Sequence, residues 1–75
     1  MTAKELVKSL MSEKNVSNAE MANALGITQA ALWDRLNPKK TNNMTVVKLN
    51  SMLSELGYEL VVREIDGESE YVLND

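Results

Sequence analysis

The sequence predicts a mainly α-helical chain of four to five helices, followed by a C-terminal hairpin of two antiparallel strands. Three observations predict it. Apolar residues recur at spacings of three and four in four successive stretches between Thr2 and Leu56. Three of those stretches stop at Gly26, Pro38 or Gly57, residues that end helices. After Gly57 the pattern changes to β-forming runs on either side of Asp66-Gly67, a preferred hairpin pair.

The first helix is expected from Thr2 to about Lys14. Ala3, Leu6, Val7, Leu10 and Met11 form its apolar stripe, and Thr2 caps it. The second opens on Ser17-Asn18-Ala19-Glu20, a capping box, and runs from about Asn18 to Leu25. Met21, Ala22 and Leu25 face inward, and Gly26 takes the left-handed closing position. Only Ile27 and Thr28 separate it from the third helix, Gln29 to Leu36, with Ala31, Leu32 and Leu36 expected inward. Asn37-Pro38 stops that helix, because the residue before a proline is pushed out of the helical region. A polar, basic loop follows, from Lys39 to Asn43. The fourth helix is expected from about Thr45 to Leu56, capped by Asn43 or Thr45, burying Val46, Leu49, Met52, Leu53 and Leu56. Met11, Met21, Met44 and Met52 read as core filling.

A type I′ turn at Asp66-Gly67 fixes the hairpin register. One face then carries Ile65 opposite Glu68, Arg63 opposite Glu70 and Val61 opposite Val72. The other carries Glu64 opposite Ser69, Val62 opposite Tyr71 and Leu60 opposite Leu73. A slip of one residue would destroy both matches. The face of Leu60, Val62, Tyr71 and Leu73 is expected to cover the last helix.

Composition removes whole classes of function. With no cysteine there is neither a disulfide nor a thiolate zinc site. With no histidine, the commonest metal ligand and the commonest general base are both missing. There is no glycine-rich phosphate loop, and Glu68 and Glu70 have no pocket around them. No enzyme activity, metal or cofactor is expected. No apolar run is long enough for a signal peptide or a membrane span, so the expected compartment is the cytoplasm.

Net charge is −3, unpromising for a nucleic-acid binder until its distribution is read. Residues 1–50 carry seven cations (Lys4, Lys8, Lys14, Arg35, Lys39, Lys40, Lys48) against four acids (Glu5, Glu13, Glu20, Asp34). Residues 51–75 carry Arg63 alone against seven acids (Glu55, Glu59, Glu64, Asp66, Glu68, Glu70, Asp75). The basic part holds the tight joint between helices two and three. Such a helix-turn-helix presents its second helix to a DNA major groove about 12 Å wide. Ala22 allows the helices to approach, Gly26 permits the turn, and Leu32 plugs the space between them.

Through Ala22, Leu25-Gly26-Ile27-Thr28-Gln29 and Leu32, the chain resembles the lambda-repressor-like (Cro/repressor, or XRE) helix-turn-helix family. The resemblance extends from about Ser17 to Leu-Gly-Tyr-Glu-Leu at 56–60, over half the chain. That last stretch looks like the end of the domain in many phage regulators and antitoxins. Arg35 stands where the family is usually apolar, Pro38 where glycine often ends the recognition helix, and Asn18 where a phosphate-binding glutamine is common. The resemblance implies a helix-turn-helix DNA-binding domain over residues 1–57 and a hairpin over 58–75. It also implies a phage- or prophage-type transcriptional regulator acting on double-stranded DNA as a homodimer.

Carried onto this sequence, the family geometry exposes Thr28, Gln29, Ala30, Trp33 and Asp34 as candidate base contacts. Gln29 suits adenine N6 and N7, Ala30 a thymine methyl, and Asp34 cytosine N4. Asn18, Arg35, Asn37, Lys39, Lys40, Thr41 and Asn42 are candidate contacts to the DNA backbone, which position without reading sequence. Trp33 has a second use, packing on the Pro38 loop; Asp34 has one as a solvated acid; and Lys39-Lys40 has one as an ordinary surface loop. Leu60, Val61, Val62, Arg63, Ile65, Tyr71 and Val72 are the candidate dimer interface, because a lone hairpin leaves open edges and is marginal in water. The alternative is a protein-binding module, an antitoxin whose acidic hairpin grips a basic toxin, or a partner of another regulator.

Overall fold

A computed structural model describes residues 1–40 and 43–74. They form four helices and a two-stranded sheet: α1 (Ala3–Glu13), α2 (Asn18–Leu25), α3 (Gln29–Leu36), α4 (Val46–Glu55), β1 (Leu60–Arg63) and β2 (Glu70–Leu73).

Every helix start is capped by its own side chain. The hydroxyls of Thr2, Thr28 and Thr45 accept from the amides of Glu5, Ala31 and Lys48 at 3.0–3.1 Å. The capping box of α2 is complete. Ser17 Oγ accepts from the Glu20 amide at 3.1 Å, and Glu20 Oε1 accepts from the Ser17 amide at 3.0 Å. These contacts hold the Glu20 carboxyl below its ordinary value of 4.5, the amide of Ser17 contributing most.

Three helix ends close with one motif. Asn15, Gly26 and Gly57 each adopt a left-handed φ, of 56°, 70° and 85°. The next residue then donates back to a carbonyl five positions earlier: Val16 to Met11, Ile27 to Ala22, and Tyr58 to Leu53, at 2.8–3.0 Å. Val16 and Ile27 are thereby turned onto the core. At the end of α3, Asn37 is extended instead, with ψ 120°, as the following proline requires.

The core lies among the four helices: Val7, Met11, Met21, Ala22, Leu32, Leu36, Met52, Leu53 and Leu56. Met44 and Leu60 pack on its margin. Two residues expected inside are outside. Ala31 is exposed because Leu32 and Leu36 set the inward direction of α3, and Ala31 projects away from it. Val46 shares the helical phase of Leu53 but lies two turns before it, in the first turn of α4, and is exposed.

The hairpin pairs Leu60 with Leu73, Val61 with Val72, Val62 with Tyr71 and Arg63 with Glu70, the expected register. Its tip and its packing differ from expectation. Ladder bonding ends where the Glu64 amide donates to the Ser69 carbonyl at 2.9 Å. Residues 65–68 form a wider loop, and neither Asp66 nor Gly67 has the positive φ of a type I′ turn. Asp66 thus stays out of the left-handed region, and the Glu64 carboxylate lies where a Cβ on residue 67 would be. Nor does the apolar face of the hairpin cover α4. Leu60 and Leu73 at its base are half-buried, while Val62 and Tyr71 are exposed, Tyr71 to 69%. The strands extend past the helical body instead of folding back on it.

Candidate nucleic-acid interface

The joint between α2 and α3 consists of Gly26, Ile27 and the capping Thr28. Ala22, 2% exposed, lets the two helices meet, and Leu32, fully buried, fills the space behind the turn. Leu32 and Leu36 lie one turn apart and anchor α3 from below. Its opposite surface is uncovered: Gln29, Ala30, Trp33 and Asp34 are all exposed. Thr28 is exposed as well, but its oxygen already accepts from the Ala31 amide, which leaves its proton free to donate.

Trp33 is 60% exposed. It helps to line an open cleft of about 250 Å³, with Lys8, Asn18, Leu36, Asn37 and Pro38 as the other walls. Trp33 therefore stands beside Pro38 at the cleft while most of its surface faces solvent. Asn18, exposed at the first turn of α2, belongs to the same cleft.

The segment after α3 is a braced turn. The Lys40 amide donates to the Asn37 carbonyl at 3.1 Å, and the Lys39 amide to Asn37 Oδ1 at 3.0 Å. Both Asn37 oxygens thus accept within the turn, and its side-chain Nδ2 is a donor for another contact. Lys4 Nζ, from α1, donates to the carbonyls of Asn37 at 2.6 Å and of Lys40 at 2.7 Å. Asn43 Nδ2 donates at 2.7 Å to the Asp34 carbonyl, which also accepts from the Asn37 amide at 3.3 Å. The side chains of Lys39 and Lys40 are exposed, and Arg35 is half-buried on the flank of the helix. Thr41 and Asn42 lie outside the described residues.

Sequence reading missed Lys4 and Lys8. Their spacing of four on α1 was a signal that they share a face, but only the tertiary arrangement brings that face to the end of α3. On the hairpin, Val61, Val62, Arg63, Ile65, Tyr71 and Val72 are exposed, Ile65 to 94%, and Leu60 is half-buried.

Among the described residues, no three His, Cys, Asp or Glu side chains gather where they could hold a metal ion. No described helix is long and apolar enough to cross a membrane. No family model, curated protein or solved structure matches the chain.

Proposed function

We propose that this chain is a sequence-specific double-stranded DNA-binding transcriptional regulator of the lambda-repressor-like, Cro/repressor type, acting in the cytoplasm as a homodimer. One observation carries the reading. A short, capped helix, seated on the core by Leu32 and Leu36, leaves Gln29, Ala30, Trp33 and Asp34 uncovered on its outer surface. That is the group set a major-groove reader needs: an amide for adenine, a methyl for thymine, an acceptor for cytosine and an aromatic edge.

The surroundings support it. Lys39 and Lys40 stand beyond the C-terminal end of α3, with Lys8 and Asn18 alongside Trp33; the lysines can neutralise backbone phosphates and Asn18 can donate a hydrogen bond to one. Lys4 fixes the turn that carries Lys39 and Lys40. The acids of the hairpin lie on a projecting element, so a whole-chain charge of −3 does not oppose DNA at the helical surface.

The test is selection from random duplex DNA, followed by titration of the selected duplex against salt. The expected result is a palindromic site with half-sites about 34 Å apart. Affinity should fall steeply between 50 and 200 mM salt, as contacts to several phosphates require. No binding to any duplex at 50 mM salt overturns the reading.

A further inference from the structure

The hairpin has two open edges, and they differ in chemistry. The Glu64 amide bonds across to Ser69, and Val62 and Leu60 face Tyr71 and Leu73. Antiparallel ladders alternate, so the backbone groups of residues 60, 62 and 64 point into the hairpin. Those of 61 and 63, with 59 just before the strand, point out to solvent. On this outer edge of β1, Glu59, Val61 and Arg63 share one face of the strand. All three are exposed. The outer edge of β2 offers Glu70 and Val72, with Glu68 beside them and no cation.

A two-fold axis normal to a sheet pairs a strand with its own copy only where one residue faces itself. For β1 there are four such registers. Centring on Arg63 sets two guanidinium groups against each other. Centring on Val62 places Arg63 opposite an apolar residue and Ile65 opposite Glu59. Centring on Leu60 leaves Arg63 opposite Gly57. Centring on Val61 sets Val61 against the partner's Val61, Val62 against the partner's Leu60, and Arg63 against the partner's Glu59. Symmetry makes each of the last two pairs twice. Apolar meets apolar, cation meets anion, and the outward N–H and C=O groups of 59, 61 and 63 find partners. On the β2 edge, the apolar register centred on Tyr71 gathers the acids of both chains with no counter-charge.

We propose that the chain dimerises by antiparallel pairing of β1 with β1 of a second copy, centred on Val61, with Arg63 of each chain opposite Glu59 of the other. The product is a four-stranded sheet with β2 on both outer edges. The proposal rests on the preceding reading only in taking the working unit to be a two-fold dimer, and it needs no DNA.

The chain has no cysteine, so single thiols report geometry directly. In the full chain, Val61→Cys should form a disulfide-linked dimer on mild oxidation, because facing residues of a bonded pair lie about 5.5 Å apart at Cα. Val62→Cys and Val72→Cys should stay uncrosslinked, since their copies lie beyond about 7 Å. By sedimentation equilibrium without DNA, Glu59→Arg and Arg63→Glu should each weaken dimerisation about tenfold. The double variant should recover it, and a mixture of the two single variants should form a heterodimer. Circular dichroism of each variant checks that the helices remain. Failure of Val61→Cys to crosslink, a double variant no better than the singles, or a monomeric intact chain at micromolar concentration would overturn the proposal. A dimer that binds no duplex leaves this register standing and removes the DNA reading. A palindromic DNA site bound by a chain that fails these tests does the reverse.

Discussion

Lys4 and Asn37 are 33 positions apart in sequence, and Nζ of the first donates to the carbonyl of the second at 2.6 Å. The same ammonium group reaches Lys40, so one cation from the first turn of α1 holds the segment that follows α3. Lys4→Met keeps the aliphatic stem and removes the donors. It should lower unfolding stability by about 1–2 kcal/mol, as loss of charge-assisted hydrogen bonds does. Urea denaturation should show a lower midpoint at an unchanged slope. A midpoint equal to the parent's would mean that water replaces Lys4 at no cost.

Gln29 is exposed at the first turn of α3. Gln29→Ala should therefore leave stability unchanged. Its cost should fall on specific DNA, about 1–3 kcal/mol, with binding to random duplex nearly intact. Competition titrations measure both numbers. Equal losses on the two DNAs would remove Gln29 as a base reader.

Lys39→Ala combined with Lys40→Ala tests the opposite kind of contact. All duplexes should weaken alike, and the slope of log K against log salt should flatten by about two. An unchanged slope would assign that turn to solvent.

The capping box gives a stability prediction with a pH sign. Ser17→Ala should cost about 1 kcal/mol by removing the cap of α2. Glu20 has its folded pKa lowered by the Ser17 amide and hydroxyl. Its contribution is therefore present above the unfolded value and is lost as pH falls through the folded one. Glu20→Gln should be less stable than the parent at pH 7, and the difference should vanish well below pH 4.5. Thermal melts across that range check it; a gap that persists in acid would assign the effect to packing instead of charge.

Much of the fold was legible because its determinants are local. Ser17 and Glu20, Thr28 and Ala31, and Gly26 with Ile27 sit within a few residues of one another, so spacing alone describes their bonds. The strand register was legible for a related reason, since alternation along 60–63 and 70–73 leaves one pairing that satisfies both faces. Ala31 was misread because it lies off the inward direction set by Leu32 and Leu36, and Val46 because helical phase does not show how far along a helix the core extends. The hairpin was expected to lie on α4 from the apolarity of Val62 and Tyr71, yet apolarity does not state what covers a surface. Lys4 was invisible as a brace because its partners are backbone carbonyls, which leave no mark in side-chain chemistry. At the candidate interface, the exposed row on α3 follows from the positions of Leu32 and Leu36. The cleft joining Trp33 to Lys8 depends on the packing of α1 against α3.

The left-handed closures at Asn15, Gly26 and Gly57 also keep α1, α2 and α4 short, and that makes the helices depend on one another. No described helix exceeds 11 residues, below the about 12–15 that stand alone in water, so none persists without its neighbours. The last core residue, Leu56, precedes the whole hairpin in the chain. The core of the helical body is therefore complete in sequence before residue 60, and the outer part of the hairpin adds no buried residue to it. A change at the exposed strand positions 61–63 or 70–72 is thus separable from helix packing, and sequence there can vary without unfolding the helices.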